Sequence, residues 1–270
     1  MTAREAALEV TPGALPRELT LASYNIHSGV GTDGRFDLDR IAAVISEIGA
    51  EVVALQEVGD FRGGTPREDH PEYLAHTLGM ELAFGPNVVK AGRRYGNALL
   101  SRIPILRSRN YDLSVPGREP RGALRCDLDL GGSRMLHVFC VHLGLSPRER
   151  RVQEQQLLAA DLLREAVRAD PVVVCGDFNY LGNRPLPAMV RQALQDVGTV
   201  LGVRPRTYHA RWPFVRLDRV YVDLEVQPLR LFAHRTPTSR VASDHLPLVL
   251  RMRAPLPPAH AGSPPVELSR

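Results

Sequence analysis

Pro171-Val172-Val173-Val174-Cys175-Gly176-Asp177-Phe178-Asn179 is a short β-branched run that ends in polar residues. The run predicts a buried strand, and Gly176 lets the chain turn so that Asp177 and Asn179 emerge at the end of that strand. A second stretch, Ser243-Asp244-His245-Leu246-Pro247, has the reverse order, because its polar residues come before an apolar run. Antiparallel neighbours would bring the two polar ends together. We therefore expect these two strands to pair and to carry a hydrolytic metal site.

The composition is that of a globular protein with an arginine-rich surface. The chain has 270 residues, 44% of them hydrophobic, which suits one large domain of about 200–250 residues. Lys90 is the only lysine among 34 basic residues, and the net charge is +4. Arginine binds phosphate in a bidentate manner, so a phosphorylated substrate would suit this surface. The same excess of arginine can arise from genome base composition, and so small a net charge does not indicate nucleic acid.

Cysteine usage and hydropathy restrict the location of the protein. Cys126, Cys140 and Cys175 lie in apolar runs, where cysteine behaves as a small buried hydrophobe, and their odd number argues against a disulfide framework. Residues 1–20 lack the apolar core of a signal peptide, and no apolar run reaches the length of about 18 residues that spans a membrane. We predict a cytoplasmic protein with no transmembrane segment, and no specific protein partner is evident.

The chain is predicted to form one domain over residues 19–253, between a tail at 1–18 and a Pro-rich tail at 254–270, both disordered. Asp37 is the predicted cap of a helix ending at Ile48, and Ser146 caps a helix that runs to about Ala169. A further helix is predicted near 186–194. The predicted strands are 19–26, 52–55, 97–100, 105–113, 122–130, 135–143, 172–175, 217–222, 226–233 and 246–252. This order favours an α/β (α+β) four-layer sandwich: two mainly antiparallel β-sheets packed face to face and flanked by helices.

Polar residues recur where the predicted strands end. Glu57 and Asn25 each end an apolar run, and alone they would be a loop acid and a turn residue. Asp177 and Asn179 alone would be turn formers, and Asp244 could cap a turn. Repetition of this placement favours one shared site. Carboxylate and amide oxygens without thiolates suit Mg²⁺, with Mn²⁺ as an alternative, and no close-spaced histidine pair indicates zinc.

Seven motifs occur in a fixed order along residues 19–252. They are Ser23-Tyr24-Asn25-Ile26, Leu55-Gln56-Glu57-Val58, Gly96-Asn97-Ala98-Leu99-Leu100-Ser101-Arg102-Ile103-Pro104-Ile105, Val141-His142-Leu143, Gly176-Asp177-Phe178-Asn179, Arg216-Leu217-Asp218-Arg219-Val220 and Ser243-Asp244-His245-Leu246-Pro247. In these motifs the chain resembles the endonuclease/exonuclease/phosphatase superfamily. That superfamily includes deoxyribonuclease I, abasic-site endonucleases, neutral sphingomyelinases and inositol polyphosphate 5-phosphatases.

The resemblance implies a role for each polar residue of the metal side. Glu57 would be the main metal ligand, with Asn25 and Asp244 close to the ion, directly or through water. Asp177 would orient or deprotonate the attacking water. Asn179 would hold the phosphoryl oxygens.

The resemblance also implies roles for two histidines. His245 would contact the scissile phosphate, and Asp218 would orient its ring, because a carboxylate on one imidazole nitrogen fixes the tautomer at the other. His142 would serve the phosphate or the leaving group, as in the deoxyribonuclease I-like and sphingomyelinase-like members. The abasic-site branch carries a different motif at that position.

Three further residues are candidates for contacting the substrate. Arg121 could reach a phosphate or could form an exposed salt bridge. Asn97, or Tyr95 beside it, could be the partner of His142. Trp212 is the only tryptophan, and it could stack on a base, lie against lipid or pack its own loop.

The sequence therefore predicts a Mg²⁺-dependent hydrolase of phosphate esters. The predicted activity is that of a phosphodiesterase in which water attacks a metal-bound phosphate in line. A small phosphodiester, a phospholipid head group, a nucleic acid and a phosphomonoester all stay open as substrates, so a DNA or RNA endonuclease or exonuclease is the alternative. A catalytically silent binding module of the same fold is disfavoured, because every candidate ligand and base is present.

Overall fold

The computed structural model describes residues 17–59, 69–159, 170–181 and 194–255. The described part contains twelve strands, three longer helices and several short helical turns. The strands are β1 Arg17–Asn25, β2 Val52–Gly59, β3 Glu81–Lys90, β4 Arg93–Ser101, β5 Ile105–Asp112, β6 Gly122–Gly131, β7 Arg134–His142, β8 Val172–Asp177, β9 Gln195–Asp196, β10 Asp218–Val222, β11 Gln227–Ala233 and β12 Leu248–Ala254. The helices are α1 Leu38–Ile48, α2 His70–Leu78, α3 Pro147–Ala159, α4 Val197–Val200 and α5 Ser239–Ala242, with a 3₁₀ turn at His27–Gly29.

The strands form two six-stranded sheets. The first sheet has the order β11-β12-β1-β2-β4-β3, and the second has the order β5-β6-β7-β8-β10-β9. Each sheet contains one parallel pair, β1 with β2 and β7 with β8, and its other pairs are antiparallel. The predicted sandwich of two mainly antiparallel sheets is confirmed.

Successive side chains of a strand point to opposite faces of its sheet, so each strand contributes to two layers of the sandwich. In β1, Leu19 and Leu21 join the core between the sheets, whereas Ala22 and Tyr24 belong to a second cluster. That second cluster includes α1 residues such as Ile41, so α1 covers the outer face of the first sheet. β1 is buried on both faces, and only the small polar residues Thr20 and Ser23 interrupt its apolar residues between Leu19 and Tyr24. A third cluster on the second sheet includes residues of β7 and α3.

The helix-start predictions are confirmed where the structure describes them. The Asp37 side chain accepts a hydrogen bond from the Arg40 amide at 2.9 Å, and α1 ends before Gly49 in a left-handed conformation. Ser146 Oγ accepts from the Glu149 amide at 3.2 Å at the start of α3. The predicted continuation of α3 through 160–169 and almost all of the predicted helix near 186–194 lie outside the described residues.

The structure corrects one expectation about strand pairing. The strand ending at Asp177 and the strand that follows His245 are not neighbours, because β8 lies in the second sheet and β12 in the first. Each has another antiparallel partner: β8 pairs with β10 and β12 pairs with β1. Polar strand ends therefore meet across the two sheets.

Several segments differ in extent from the sequence predictions. Neither α2 nor β3 is predicted from the sequence, and β1 and β12 reach into the predicted tails, to Arg17 and Ala254. The rest of both tails, 1–16 and 256–270, lies outside the described residues. All three cysteines are free and buried, as predicted. Among the described residues no helix has the length and apolar character needed to cross a membrane.

Candidate active site

The candidate site lies at one edge of the sandwich, where strand ends of both sheets meet. Asn25 ends β1 in the first sheet, and Asp177 ends β8 in the second. The Asn25 Nδ2 donates to Asp177 Oδ2 at 3.1 Å and to Glu57 Oε1 at 2.9 Å. One amide thus bonds two carboxylates from different sheets.

Glu57 reaches this edge through a β-bulge in β2. The pairing of β2 with β4 steps from Leu55 opposite Ala98 to Val58 opposite Gly96, so two residues of β2 oppose one residue of β4. Glu57 has a φ of 57°, in the left-handed region that a residue with a Cβ seldom adopts. Bulges of this kind re-aim a side chain and occur next to active sites. The bulge leaves the Glu57 carboxylate partly exposed beside Asn25.

Asp177 reaches the site because Gly176 precedes it. Gly176 has a φ of 149°, and a Cβ built on it would lie 1.9 Å from the Val141 carbonyl oxygen. Only glycine lets β8 approach β7 this closely. The next residue, Asp177, is in parallel register with His142, so their side chains leave the sheet side by side.

Asp177 is the centre of the site. Its Oδ2 lies 3.7 Å from His142 Nε2 and 3.7 Å from His245 Nε2, in addition to the bond from Asn25. The side chain is 2% exposed. Burial raises the pKa of Asp177 to about 6, the positive charge of His245 opposes that rise, and the nearby Asp218 charge adds to it.

His245 is held as a cation by two aspartates. Its Nδ1 lies 2.9 Å from Asp218 Oδ2, and Thr207 Oγ1 donates to the same Oδ2. Burial alone would lower the pKa of His245, but the charges of Asp218 and Asp177 outweigh burial and raise the pKa to about 10. The ring therefore carries a proton at neutral pH.

His142, in contrast, is uncharged. Burial lowers its pKa well below the usual value, and the positive charges of Arg121 and His245 lower it further. Arg121 is itself buried, and its guanidinium forms an ion pair with Glu119 at 2.5 Å. The salt bridge predicted for Arg121 is therefore formed, but by a buried rather than an exposed guanidinium, and its contact with a phosphate stays a prediction.

Two asparagines that the sequence singles out hold backbone groups. Asn179 has a φ of 53°, its amide N–H bonds Asp177 Oδ1 at 2.9 Å, and its Nδ2 donates to the Leu143 carbonyl at 2.9 Å. Asn97 is fully buried, and its Nδ2 donates to the carbonyls of Gly122 at 2.9 Å and Cys140 at 3.3 Å. Since Asn97 belongs to the first sheet and its acceptors to the second, it fastens the sheets together beneath the site.

Asp244 and Trp212 lie farther out. The preceding residue, Ser243, donates from Oγ to the Asn25 carbonyl at 2.8 Å, but the Asp244 side chain is 25% exposed, with Oδ1 4.0 Å from His27 Nδ1. No hydrogen bond between described residues joins the Asp244 carboxylate to Asn25 or Glu57. Trp212 is 80% exposed.

The structure thus brings six of the predicted residues together, whereas Asp244 and Trp212 lie farther out. The gathered residues are Asn25, Glu57, His142, Asp177, Asp218 and His245. Thr207 completes the Asp218 contact and is not predicted from the sequence, because an isolated threonine in a loop has no distinguishing pattern. The Tyr208 ring, 5.1 Å from the His245 ring, is likewise not predicted.

The donor set fits a hard divalent cation only in part. Glu57 and Asp177 supply the carboxylate oxygens that Mg²⁺ prefers, and Mg²⁺ needs few protein ligands because it retains water and substrate oxygens. Asn25, however, points Nδ2 at both carboxylates, and its Oδ1 accepts from the His27 amide at 3.0 Å. Across the ranges described above, no three His, Cys, Asp or Glu side chains form a ready-made metal site. A cation here would therefore rest mainly on Glu57.

Two mixed sheets with a buried carboxylate, amide and imidazole site at their shared edge define the class of two-sheet sandwich that includes phosphatases and nucleases. A model of the Endonuclease/Exonuclease/phosphatase family matches residues 22–245. The chain belongs to the endonuclease/exonuclease/phosphatase family, whose members are typically phosphoester hydrolases.

Individual proteins show the same relationship. YbhP, an uncharacterized protein of Escherichia coli K12, is 36% identical over 84% of this chain and 92% of its own length. An endonuclease/exonuclease/phosphatase structure from Beutenbergia cavernae has a TM-score of 0.70 at 24% identity, over 88% of this chain and 72% of that one. The mannosyl-6-phosphatase Bt3783 of Bacteroides thetaiotaomicron has a TM-score of 0.68 at 16% identity, over 87% and 99%. The two structural similarities establish the fold alone.

Proposed function

We propose that the protein is a Mg²⁺-dependent hydrolase of phosphodiesters. One observation carries this proposal: the buried carboxylate of Asp177 lies between the Nε2 atoms of His142 and His245 and accepts a hydrogen bond from Asn25. A carboxylate base beside a cationic and a neutral imidazole can deprotonate an attacking water and stabilise the charge that develops on a phosphate ester.

Asp177 is the base for the attacking water. Its pKa of about 6 leaves it ionised at neutral pH yet basic enough to accept a proton. The Asn25 and Asn179 hydrogen bonds fix both carboxylate oxygens, so Asp177 orients the water as well as deprotonating it. The water oxygen bonds to phosphorus as its proton passes to Asp177, the bond from phosphorus to the leaving oxygen breaks, and the leaving alkoxide takes up a proton from solvent. Asp177 then releases its proton to solvent, so the step balances.

His245 supplies positive charge to the phosphate. As an imidazolium held by Asp218, it can donate from Nε2 to a nonbridging oxygen, where negative charge develops in the transition state. Its ring cannot rotate freely, because Asp218 bonds Nδ1 and Tyr208 lies against the ring face. Asp218 is therefore a positioning residue.

Glu57 and Asp244 are the residues that would hold the cation. When bound there, Mg²⁺ supplies positive charge to the phosphate oxygens and to the leaving oxygen. His142 is neutral, ends β7 in the second sheet and is subject to the positive charge of Arg121. From there Arg121 can stabilise a phosphate oxygen and His142 can contact the leaving group.

The family leaves the ester unspecified. A nuclease is the second candidate activity, and a phosphomonoesterase is a third, since a solved relative of this fold is a mannosyl-6-phosphatase. Salt separates the first two: a steep fall of activity with salt indicates a polyanionic strand, and a shallow one indicates a small ester.

Hydrolysis of bis-p-nitrophenyl phosphate with Mg²⁺, with Mn²⁺ and with EDTA tests the proposal. We expect metal-dependent turnover that Glu57→Ala and His245→Ala abolish without loss of the folded state. Glu18→Ala, an exposed acid at the opposite end of β1, and His76→Ala, exposed on α2, are matched controls that keep full turnover. Wild-type-like turnover in Glu57→Ala or His245→Ala would refute the assigned roles.

A further inference from the structure

We propose that the rim of this site docks on an anionic phospholipid bilayer, so that the ester is a membrane phospholipid; this inference rests on the proposed phosphodiesterase function. Four large apolar side chains are exposed around the site: Leu145, Leu181, Trp212 and Phe214. Two of them follow site residues closely, since Leu145 comes three residues after His142 and Leu181 two residues after Asn179.

The other two exposed side chains lie on the loop that touches His245. The ring of Tyr208 is 5.1 Å from the His245 ring and 6.1 Å from the Phe214 ring. Trp212 lies at the tip of this loop, where its amide bonds the His209 carbonyl at 2.9 Å. An aromatic series therefore runs from the catalytic imidazole to the surface.

The Tyr208 loop and the loop of Leu145 are anchored, so Leu145, Trp212 and Phe214 are not exposed through loose packing. The Ala210 amide bonds the Asp244 carbonyl at 2.7 Å, and Phe214 bonds Tyr208 through the backbone at 2.8 Å. On the other loop, the Gly144 amide donates to Gln153 Oε1 at 2.8 Å. A backbone anchored in this way holds the apolar side chains of Leu145, Trp212 and Phe214 toward solvent. Such clustered patches mark interaction sites, whereas single exposed apolar residues are ordinary.

The charge around the site matches an anionic surface. Arg148 and Arg151 follow Leu145, and Arg206 and Arg211 flank the Tyr208 loop; all four are exposed. None of them forms an ion pair with a carboxylate within the described residues. Arg211 instead donates to the Thr32 hydroxyl and carbonyl, which keeps its charge beside Trp212. Arginines interleaved with Trp, Phe and Leu are the composition that binds the interface of anionic membranes.

A bilayer fits these side chains better than a single nucleic-acid strand does. Aromatic platforms bind bases through their π faces. Leu145 and Leu181 have no π face, so base stacking gives their exposure no role. Leucine, phenylalanine and tryptophan all gain from insertion at the boundary of head groups and acyl chains.

The single tryptophan makes the test direct, because all tryptophan emission comes from Trp212. The full chain is titrated with vesicles of phosphatidylcholine and phosphatidylglycerol in equal parts, with phosphatidylcholine vesicles, and with a single-stranded oligonucleotide. We expect a blue shift with the mixed vesicles, a weaker one with phosphatidylcholine alone and none with the oligonucleotide. No shift with the mixed vesicles, or a shift with the oligonucleotide alone, overturns the inference.

Variants then locate the docking surface. Phe214→Ser and the double change Leu145→Ser with Leu181→Ser retain Trp212 as reporter, and each is expected to weaken vesicle binding by about tenfold. Leu224→Ser is the matched control: Leu224 is 82% exposed but lies beyond the far end of β10. Equal binding by the control and the rim variants contradicts the location.

Failure of this inference can be distinguished from failure of the proposed function. Glu57→Ala is expected to bind vesicles like the wild type while losing turnover of bis-p-nitrophenyl phosphate. A wild-type protein that turns over this soluble ester but ignores vesicles refutes the docking surface alone. Full turnover by Glu57→Ala together with vesicle binding refutes the catalytic roles alone. The rim variants are expected to lower the ratio of vesicle-lipid hydrolysis to soluble-ester hydrolysis.

Discussion

The two halves of the site come from equivalent units, β1–α1–β2 in the first sheet and β7–α3–β8 in the second. Each unit is a parallel pair of strands joined through a helix, and each has an antiparallel neighbour on one side, β12 beside β1 and β10 beside β8. Each delivers polar side chains from the carboxyl ends of its two strands. The first unit supplies Asn25 and Glu57, and the second supplies His142 and Asp177.

The difference between the units lies in how each presents its single site carboxylate, which comes from its second strand. Glu57 leaves its strand through a bulge and stays partly exposed, which suits an oxygen ligand for a cation. Asp177 ends a regular strand behind a glycine and is buried, and this burial raises its pKa to about 6. The same strand–helix–strand unit thus supplies a metal ligand, Glu57, from the first sheet and a base, Asp177, from the second.

The largest expected effect comes from exchanging each carboxylate for its amide. Asp177→Asn is predicted to lower kcat by about 1,000-fold at every Mg²⁺ concentration, because it removes a general base. Glu57→Gln is predicted to lose activity that higher Mg²⁺ partly restores, because it removes a ligand. Turnover of bis-p-nitrophenyl phosphate against Mg²⁺ concentration measures both. If Mg²⁺ restores the two variants equally, the division between the units is wrong.

A smaller effect is expected at the antiparallel neighbour of β8, where Asp218 holds His245. Burial works against the cationic ring, and Asp218 is the main charge that maintains it. The wild type keeps this cation until the pH approaches about 10. Asp218→Asn lowers the pKa of His245, so the alkaline fall of kcat/KM should move to lower pH. An unshifted pH profile would show that His245 does not act as a cation.

Thr207 offers a finer test of the same contact. Thr207→Val removes the hydroxyl that donates to Asp218 Oδ2 and is predicted to lower kcat about tenfold, which corresponds to one lost hydrogen bond. Thr207→Ser restores the hydroxyl, so it should restore kcat with KM unchanged. Loss of activity in the serine variant to the same extent as in the valine variant would indicate a packing role instead.

The smallest effect on turnover is expected at Asn97, where the two sheets are joined. Asn97→Ala leaves two buried carbonyls without their donor and is predicted to cost about 2 kcal/mol of folding free energy. Denaturant unfolding measures the loss, while KM should change little. A raised KM at unchanged stability would favour the substrate contact that the sequence suggests for Asn97.

Much of the sandwich is predictable because its strands are apolar runs with polar ends. The strand β3 escapes prediction because only two of its ten residues are buried and it contains Gly85 and Pro86. The helix α2 begins without a capping side-chain bond from Asp69. Partner choice is also not local: polar residues show where β8 ends, yet nothing near Asp177 indicates that its antiparallel neighbour is β10 rather than β12.

The candidate site, too, is predictable from the sequence only in part. Its residue types at strand ends are visible in the sequence, as are Asp218 and His245 within their motifs. The bulge that turns Glu57 toward Asn25 depends on the register with β4, which a single strand does not encode. Thr207 depends on a loop folding back onto Asp218. Which histidine carries a proton follows from burial and neighbouring charge, so it emerges only in three dimensions.

The hydrogen bonds of the Asn25 amide bear on the thermal inactivation of the protein. Because it ties a carboxylate of one sheet to a carboxylate of the other, the same side chain maintains both the catalytic geometry and a contact between the sheets. When the two sheets begin to separate, the arrangement of Asn25, Glu57 and Asp177 is lost first, before either sheet unfolds. Thermal inactivation should therefore track the earliest separation of the halves, and no half-opened form should retain turnover.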